Sequence, residues 1–512
     1  METLEQGASD SSGTARRLLI LAVLYAIPAV VLMRPVIDHD IWWHLKTGET
    51  VVAQHDVPRH DPFSTYGHDK PWVAYSWLFE VLVYGVYWIG GLTGLLVFRL
   101  VAAAAVLFSV HHLVLKREPG FVRATFLTGL AFLSLVPLLN ERPWLFTMLF
   151  LVWTLEAILR LREGTATRAV WLLPAVFAVW ANVHIQFVYG LALLGLACVA
   201  PMADALLGRT VSGTGADTLG TQPWRRLLAL TALCAACTLL NPYGVRLYVV
   251  VWEYATQPLP FNVVNELMAP TFRLPTEWVF LGLAGAAAFA LGRRVRPSLF
   301  DLLLLACTAF AAFRARRDLW CLVVASLAVL TGGPRPAPGE VVRFALSRGR
   351  VAALVVMVAL FLLVVGWYRN LSEERLRDAV AQAFPVAAAE HVREHRPRYP
   401  GPLFNDFDWG GYLIWALPDY PVSMDGRTNL HGDERIAQHL NTIHGVRWER
   451  DPDLTNARLF VVERDSGLAA VLRLRPQRFQ LVYEDPEDPK DEKKTLAAVF
   501  IACEDQPCES LP

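Results

Sequence analysis

Eleven long apolar runs lie between residues 17 and 367, and none follows. They span roughly 17–34, 93–115, 122–139, 143–161, 169–182, 186–207, 224–240, 276–292, 298–313, 318–333 and 350–367. About 20 mainly apolar residues cross a bilayer core as a helix, and only a helix pairs all its backbone groups within one segment. The pattern therefore predicts an all-α polytopic membrane domain of about 11 transmembrane helices, with 12–13 as the alternative count. Composition agrees, with 54% hydrophobic and 18% charged residues, against about 25% charged in soluble domains. The 47 basic and 47 acidic residues cancel, which leaves no global charge for nucleic acid.

The first run follows Arg16 and Arg17 with no small-residue cleavage site after it, so it is predicted to be a permanent span. Basic clusters orient the rest, because cytoplasmic loops are rich in Arg and Lys. Placing Arg16/Arg17, Lys116/Arg117/Arg123, Arg160/Arg162/Arg168, Arg209/Arg225/Arg226, Arg293/Arg294/Arg296 and Arg335/Arg343/Arg348/Arg350 inside gives a consistent alternation. The predicted domains are a cytoplasmic tail at 1–16, a polytopic domain at 17–370 with a large outer loop at 35–92, and an extracytoplasmic domain at 371–512. The stretch 72–91, WVAYSWLFEVLVYGVYWIGG, is long enough to cross, but its six Trp and Tyr suit an interfacial or re-entrant helix. On this scheme Arg314, Arg316 and Arg317 fall outside, where a basic cluster calls for an anionic partner such as a lipid phosphate.

After residue 370 the chemistry changes. Residues 371–400 are charged and helical in pattern, and from 401 short apolar strands are expected in PLFNDFDWGGYLIW, YPVSMDGR, ARLFVVER, FQLVYED and AAVFIAC. A small soluble α/β domain is predicted. The stretch 210–222 reads as a flexible loop. Five of the seven cysteines sit in apolar runs, while Cys503 and Cys508 lie in a polar tail and could pair in an oxidising compartment.

The first outer loop carries the strongest chemical signal. Asp38 and Asp40 follow the first span beside Trp42 and Trp43, at the depth where desolvation raises a carboxylate pKa or favours a bound cation. Asp40 and His44 are one helical turn apart, so Asp38, Asp40 and His44 could form a hard-metal site. Asn182, His184 and Gln186 gather at a span end, with His184 a metal ligand or sugar contact. Arg142 stands at another span end, and Glu266 follows an amphipathic outer segment. In the tail, Asn405, Asp406, Asp408, Trp409, Asp425, Arg427 and Asp433 recur at turns and suit either sugar binding or turn-making. Local ATPase, zincin and α/β-hydrolase motifs are absent.

Asp38-His39-Asp40, Ile41 to Gly48, Lys70-Pro71, Trp77-Leu78 and Gly90-Gly91 together resemble the GT-C glycosyltransferases of the protein O-mannosyltransferase, aminoarabinose-transferase and oligosaccharyltransferase type. A large group of bacterial membrane proteins shares the fuller pattern, found here as Asp38 to Leu45, Asp61 to Ser64, Arg142-Pro143, Trp180 to His184 and Leu240 to Gly244. The resemblance implies inverting transfer of a sugar from a polyprenyl phosphate donor to an extracytoplasmic glycan, lipid or protein. It implies Asp40 or Asp38 as base or metal ligand. The relatives often carry Asp-Glu where this chain has Asp40-Ile41, which leaves the choice between the two aspartates open. Such chemistry needs positive charge at the leaving phosphate, for which Arg142, Arg314, Arg316 and Arg317 are the candidates. His44, Lys70, Asn182, His184, Gln186 and Glu266 are the expected substrate contacts, and Asp38, Asp40, His44 and His184 the expected ligands of a divalent metal such as magnesium, manganese or zinc. The alternatives are a flippase for lipid-linked precursors, whose sign would be paired repeats and broken mid-bilayer helices, and a non-catalytic envelope assembly factor.

Overall fold

The computed structural model describes residues 2–68, 70–206, 221–295, 297–332, 347–369, 371–486 and 496–503. Arg209, Arg296, Arg335, Arg343, Cys508 and residues 210–220 of the expected loop lie outside the described residues. The chain divides into two units. The first is Met1–Arg34, Leu96–Asn241 and Phe261–Leu371, and the second is Pro35–Leu95, Pro242–Pro260 and Ser372–Pro512.

Each of the eleven apolar runs is helical. Among the described residues, seven helices are long and apolar enough to cross a membrane: Gly13–Leu32, Trp77–Arg117, Phe121–Leu138, Trp144–Arg162, Phe187–Leu206, Pro275–Gly292 and Arg348–Tyr368. The other runs form Leu173–Val183, Thr221–Cys237, Leu299–Arg314 and Leu319–Leu330. Leu319–Leu330, LWCLVVASLAVL, is apolar all round and buried along nearly its whole length, as an interior helix must be. Arg348–Tyr368 packs on the first helix, yet only Leu354 is buried, so its apolar side chains face outward as in a lipid-facing helix. Arg369 ends it by donating to the Val30 and Met33 carbonyls at the close of the first helix.

The aromatic stretch at 72–91 is a helix from Trp77 that breaks at Gly91 (φ 57°, ψ −145°), after which a second helix runs to Arg117. A left-handed φ favours glycine, which the Gly90-Gly91 pair supplies. Within the second unit, the Glu373 carboxylate accepts hydrogen bonds from the Leu92 and Thr93 amides and the Thr93 hydroxyl, which caps the restarted helix. Burial alone would raise the Glu373 carboxyl, but these donors outweigh it and hold it below the usual range.

The second unit contains a four-stranded sheet of β1 (Leu403–Asn405), β2 (Leu459–Glu463), β3 (Phe479–Glu484) and β4 (Ala497–Ala502), in the order β1-β2-β4-β3. β1 runs parallel to β2, and the other two pairings are antiparallel. The central strands β2 and β4 are buried on both faces, as their unbroken apolar runs require. Phe404, Phe460, Phe479 and Phe500 fill the core between the sheet and helix Gly467–Arg473. Two of the expected strand segments differ in part: PLFNDFDWGGYLIW holds β1 at its start, but its end does not form a strand. GGYLIWA forms helix Gly410–Ala416, and YPVSMDGR contributes only one bridge, Ser64 to Val422. Glycine is required at the start of this helix because it approaches other backbone closely: a Cβ on Gly410 would stand 2.8 Å from the Asp425 Cα. Cys503 is disulfide-bonded, and Cys198, Cys234, Cys237, Cys307 and Cys321 are free.

Candidate functional site

In the second unit, the first-loop aspartates meet the tail. Asp38 Oδ1 accepts the Asp40 amide at 2.9 Å, which folds the loop tightly before helix Ile41–Gln54. Asp40 occupies the N-cap position, but its carboxylate makes no capping bond to that helix. It lies instead against Gly426, where a Cβ would stand 3.1 Å from its Cγ. The His39 ring contacts the Asp408 carbonyl at 2.9 Å, and a Cβ on Gly411 would stand 3.3 Å from Trp43 Cδ1. Trp42 meets Phe384 and Tyr412 edge-on, at 5.8 and 5.3 Å between centroids. Asp40 and Asp38 are both half-buried. Asp406, whose side chain accepts the Asp408 amide, is pushed up to about 6 by burial, with Asp408 adding to the shift.

A buried ionic network supports this junction. Asp61 accepts the Phe63 and Ser64 amides and the Ser64 hydroxyl, and takes Arg427 Nη1 at 2.5 Å. Arg427 places Nε and Nη2 on the two oxygens of Asp425 at 2.8 and 2.7 Å, and its guanidinium lies 4.8 Å from the Trp72 ring centre. Arg427 is 2% exposed and Asp425 fully buried. Burial alone would raise the Asp425 carboxyl, but Arg427 and His431 outweigh it and hold it well below the usual range. Asn405 and Trp409 are buried, so Trp409 offers no open stacking face. Asp433 accepts the Leu259 amide at 3.0 Å, within the same unit.

In the first unit, Arg142 and Arg317 share one carboxylate. Arg142 Nη2 lies 3.9 Å from Glu266 Oε2, and Arg317 Nη1 lies 3.9 Å from Glu266 Oε1. The Arg316 and Arg317 amides donate to the Met268 and Glu266 carbonyls, which ties the arginine turn to the Glu266 segment. Arg316 is engaged by Glu277 at 3.0 Å and by Asn265 at 2.8 Å, and Arg314 stacks 4.2 Å from the Phe261 ring centre. Buried Asp318 accepts Gln186 Nε2 at 3.1 Å and the Tyr189 hydroxyl at 2.8 Å. Asn182 donates to the Ala178 and Leu240 carbonyls, and His184 meets Thr147 at 2.8 Å.

Solved structures share this architecture. The apo oligosaccharyltransferase of Archaeoglobus fulgidus matches with a TM-score of 0.55 and 11% identity, over 92% of this chain and 80% of that one. The same enzyme tethered to an acceptor peptide containing the NVT sequon matches with a TM-score of 0.53 and 13% identity, over 87% of this chain and 69% of that one. The mycobacterial arabinofuranosyltransferase AftD, in its R1389S mutant, matches with a TM-score of 0.51 and 12% identity, over 95% of this chain but only 41% of that one. The fold is GT-C-like. No family model and no curated protein sequence matches the chain.

Within this GT-C-like fold, the expected site residues divide between the two units. Asp38 and Asp40 come together in the second, and Arg142, Arg317 and Glu266 in the first. His44 and Lys70 each have a partner within the chain. His44 keeps its place one turn after Asp40, but it is 2% exposed and its Nδ1 lies 3.2 Å from Glu80, so burial removes it from the surface. Lys70 sits 3.2 Å from the Tyr66 ring centre. Among the described residues, no group of three or more His, Cys, Asp or Glu side chains is placed to hold a metal ion. The expected ligands are engaged elsewhere: Asp38 by the Asp40 amide, His44 by Glu80 and His184 by Thr147. Asp318 and Glu80 were missed by sequence reasoning. The available signal was an acid at the start of an apolar helix after three arginines, and a lone acid inside an aromatic-rich run.

Proposed function

We propose that this GT-C-like chain is a membrane glycosyltransferase, moving a sugar with inversion from a polyprenyl phosphate donor to an extracytoplasmic glycan, lipid or protein. The carrying observation is the placement of Asp40: a half-buried carboxylate at a helix start, not spent on capping and seated against Gly426. In this reading Asp40 takes the acceptor proton, and Asp38 holds the loop that aims it. Arg142 and Arg317 bind the donor phosphate. Two guanidiniums facing one Glu266 carboxylate keep a net positive charge, and each fork can turn two N–H groups to phosphate oxygens. A flippase reading has less support, because the clustered polar residues lie at helix ends and no internal repeat is seen in the sequence.

Arg142→Lys and Arg317→Lys test the phosphate role. Lys retains the charge but loses the two-pronged geometry, so donor KM should rise about tenfold in each variant, as for loss of roughly one charged hydrogen bond. Unchanged donor affinity and turnover in both would reduce these arginines to structural partners of Glu266. The same reading places residues 371–512 outside the cytoplasm, which the Cys503 disulfide supports. A reporter fused after Pro512 that is active only in the cytoplasm should stay silent. Activity there would reverse the proposed orientation.

A further inference from the structure

The proposed chemistry does not use the opposite end of the first unit. There helix Trp144–Arg162 ends, and the tight turn Arg168–Leu172 leads into helix Leu173–Val183. Helix Leu173–Val183 packs against helix Thr221–Cys237. A cavity of about 260 Å³ opens among these elements. Arg168, Arg226, Thr167 and Trp171 supply its polar wall, and Leu161 and Leu230 its apolar wall. Arg142 precedes the 19-residue helix whose far end reaches this cavity, and Asn182 and His184 close the antiparallel helix that begins beside it. A helix of that length is about 28 Å long, so the cavity and the Arg142 end belong to opposite faces of the bundle.

Among the described residues, no acidic side chain neutralises its charge. Glu163 pairs with Arg117 and Glu156 with Arg160, and among the described residues no ion pair includes Arg168 or Arg226. Trp171 and Leu172 beside the cavity are 45% and 67% exposed. An exposed indole next to an exposed leucine at a helix end suits the headgroup level of a bilayer. Two guanidiniums and a hydroxyl over an apolar wall match an anion that carries hydrocarbon.

We propose that this cavity binds the headgroup phosphodiester of an anionic phospholipid, held by Arg168 and Arg226, with the glycerol end of its chains against Leu161 and Leu230. Basic pockets between membrane helices recognise such headgroups, and each nearby Arg strengthens binding about fivefold. The site is independent of the transferase reading.

The test uses the full-length protein in nanodiscs of phosphatidylcholine with added phosphatidylglycerol, and native mass spectrometry to count retained lipids. Phosphatidylglycerol should be enriched over its bulk fraction, and R168Q/R226Q should lose about 25-fold in that preference. Both arginines are exposed, so the variant should fold, which an unchanged thermal midpoint would check. If it does not fold, the single variant Arg168→Gln decides: it should lose about fivefold in the enrichment, and undiminished enrichment in it would overturn the site. Equal enrichment in wild type and R168Q/R226Q would overturn the site. Displacement of phosphatidylglycerol by soluble glycerol 3-phosphate at equal concentration would overturn the lipid as the source of the phosphate.

Discussion

Asp40→Asn should abolish transfer, with a fall of about 10²–10⁴ in turnover, the usual scale for losing a general base. Asn is nearly isosteric, and the Asp40 carboxylate makes no capping bond to helix Ile41–Gln54 that the change would break. The variant should therefore reach the membrane at parental levels and still bind the lipid-linked donor. Gly426→Ala gives a second approach to the same atom. A Cβ there would press on the Asp40 carboxylate, with its Cγ at 3.1 Å, so turnover should fall while residue 40 stays acidic. Asp38→Asn should act more mildly, because an amide oxygen can still accept the Asp40 N–H that Asp38 Oδ1 takes at 2.9 Å. The assay is release of a radiolabelled sugar from the polyprenyl phosphate donor into acceptor, with donor binding measured separately. Near-parental turnover in Asp40→Asn would remove the main support for the transferase reading.

Arg427→Met should be the most destabilising single change in the second unit. It leaves Asp61 and Asp425 buried without their shared cation, and breaking a buried pair from one side costs about 3–5 kcal/mol. For a unit of 150–250 residues that corresponds to a loss of roughly 6–20 °C in Tm. The triple change Asp61→Asn, Asp425→Asn, Arg427→Met removes the orphaned charges as well and should recover much of the loss. Thermal unfolding in detergent, followed by limited proteolysis of the 35–95 and 372–512 segments, separates the cases. If Arg427→Met unfolds within about 2 °C of the parent, the network does not hold the second unit together.

Element type was legible where the signal is local. Every apolar run became a helix because hydrophobic length and backbone self-pairing act within one segment. ARLFVVER, FQLVYED and AAVFIAC contain β2, β3 and β4, since their apolar residues lie close together in the chain. GGYLIWA has the composition of a strand, yet it is a helix whose two glycines sit against residues distant in the chain.

The candidate site was legible as residue types and not as partners. Asp38 and Asp40 stand out from the sequence alone because two carboxylates directly after an apolar run are costly unless used. Nothing local says that Asp61 pairs with Arg427, 366 residues away, or that Gly426 seats Asp40. His44 illustrates the limit: helical spacing set its backbone one turn from Asp40, while tertiary packing buried its ring against Glu80. The sequence by itself determined which segments are helical and apolar enough for a membrane, and where chemically unusual residues fall along them. Only the tertiary structure decided that the first loop, residues 242–260 and the tail form one unit, and that Arg142 and Arg317 share Glu266. The reason is physical: helix formation and membrane insertion depend on neighbours a few residues away, whereas partner choice among buried charges depends on which distant segments exclude water together.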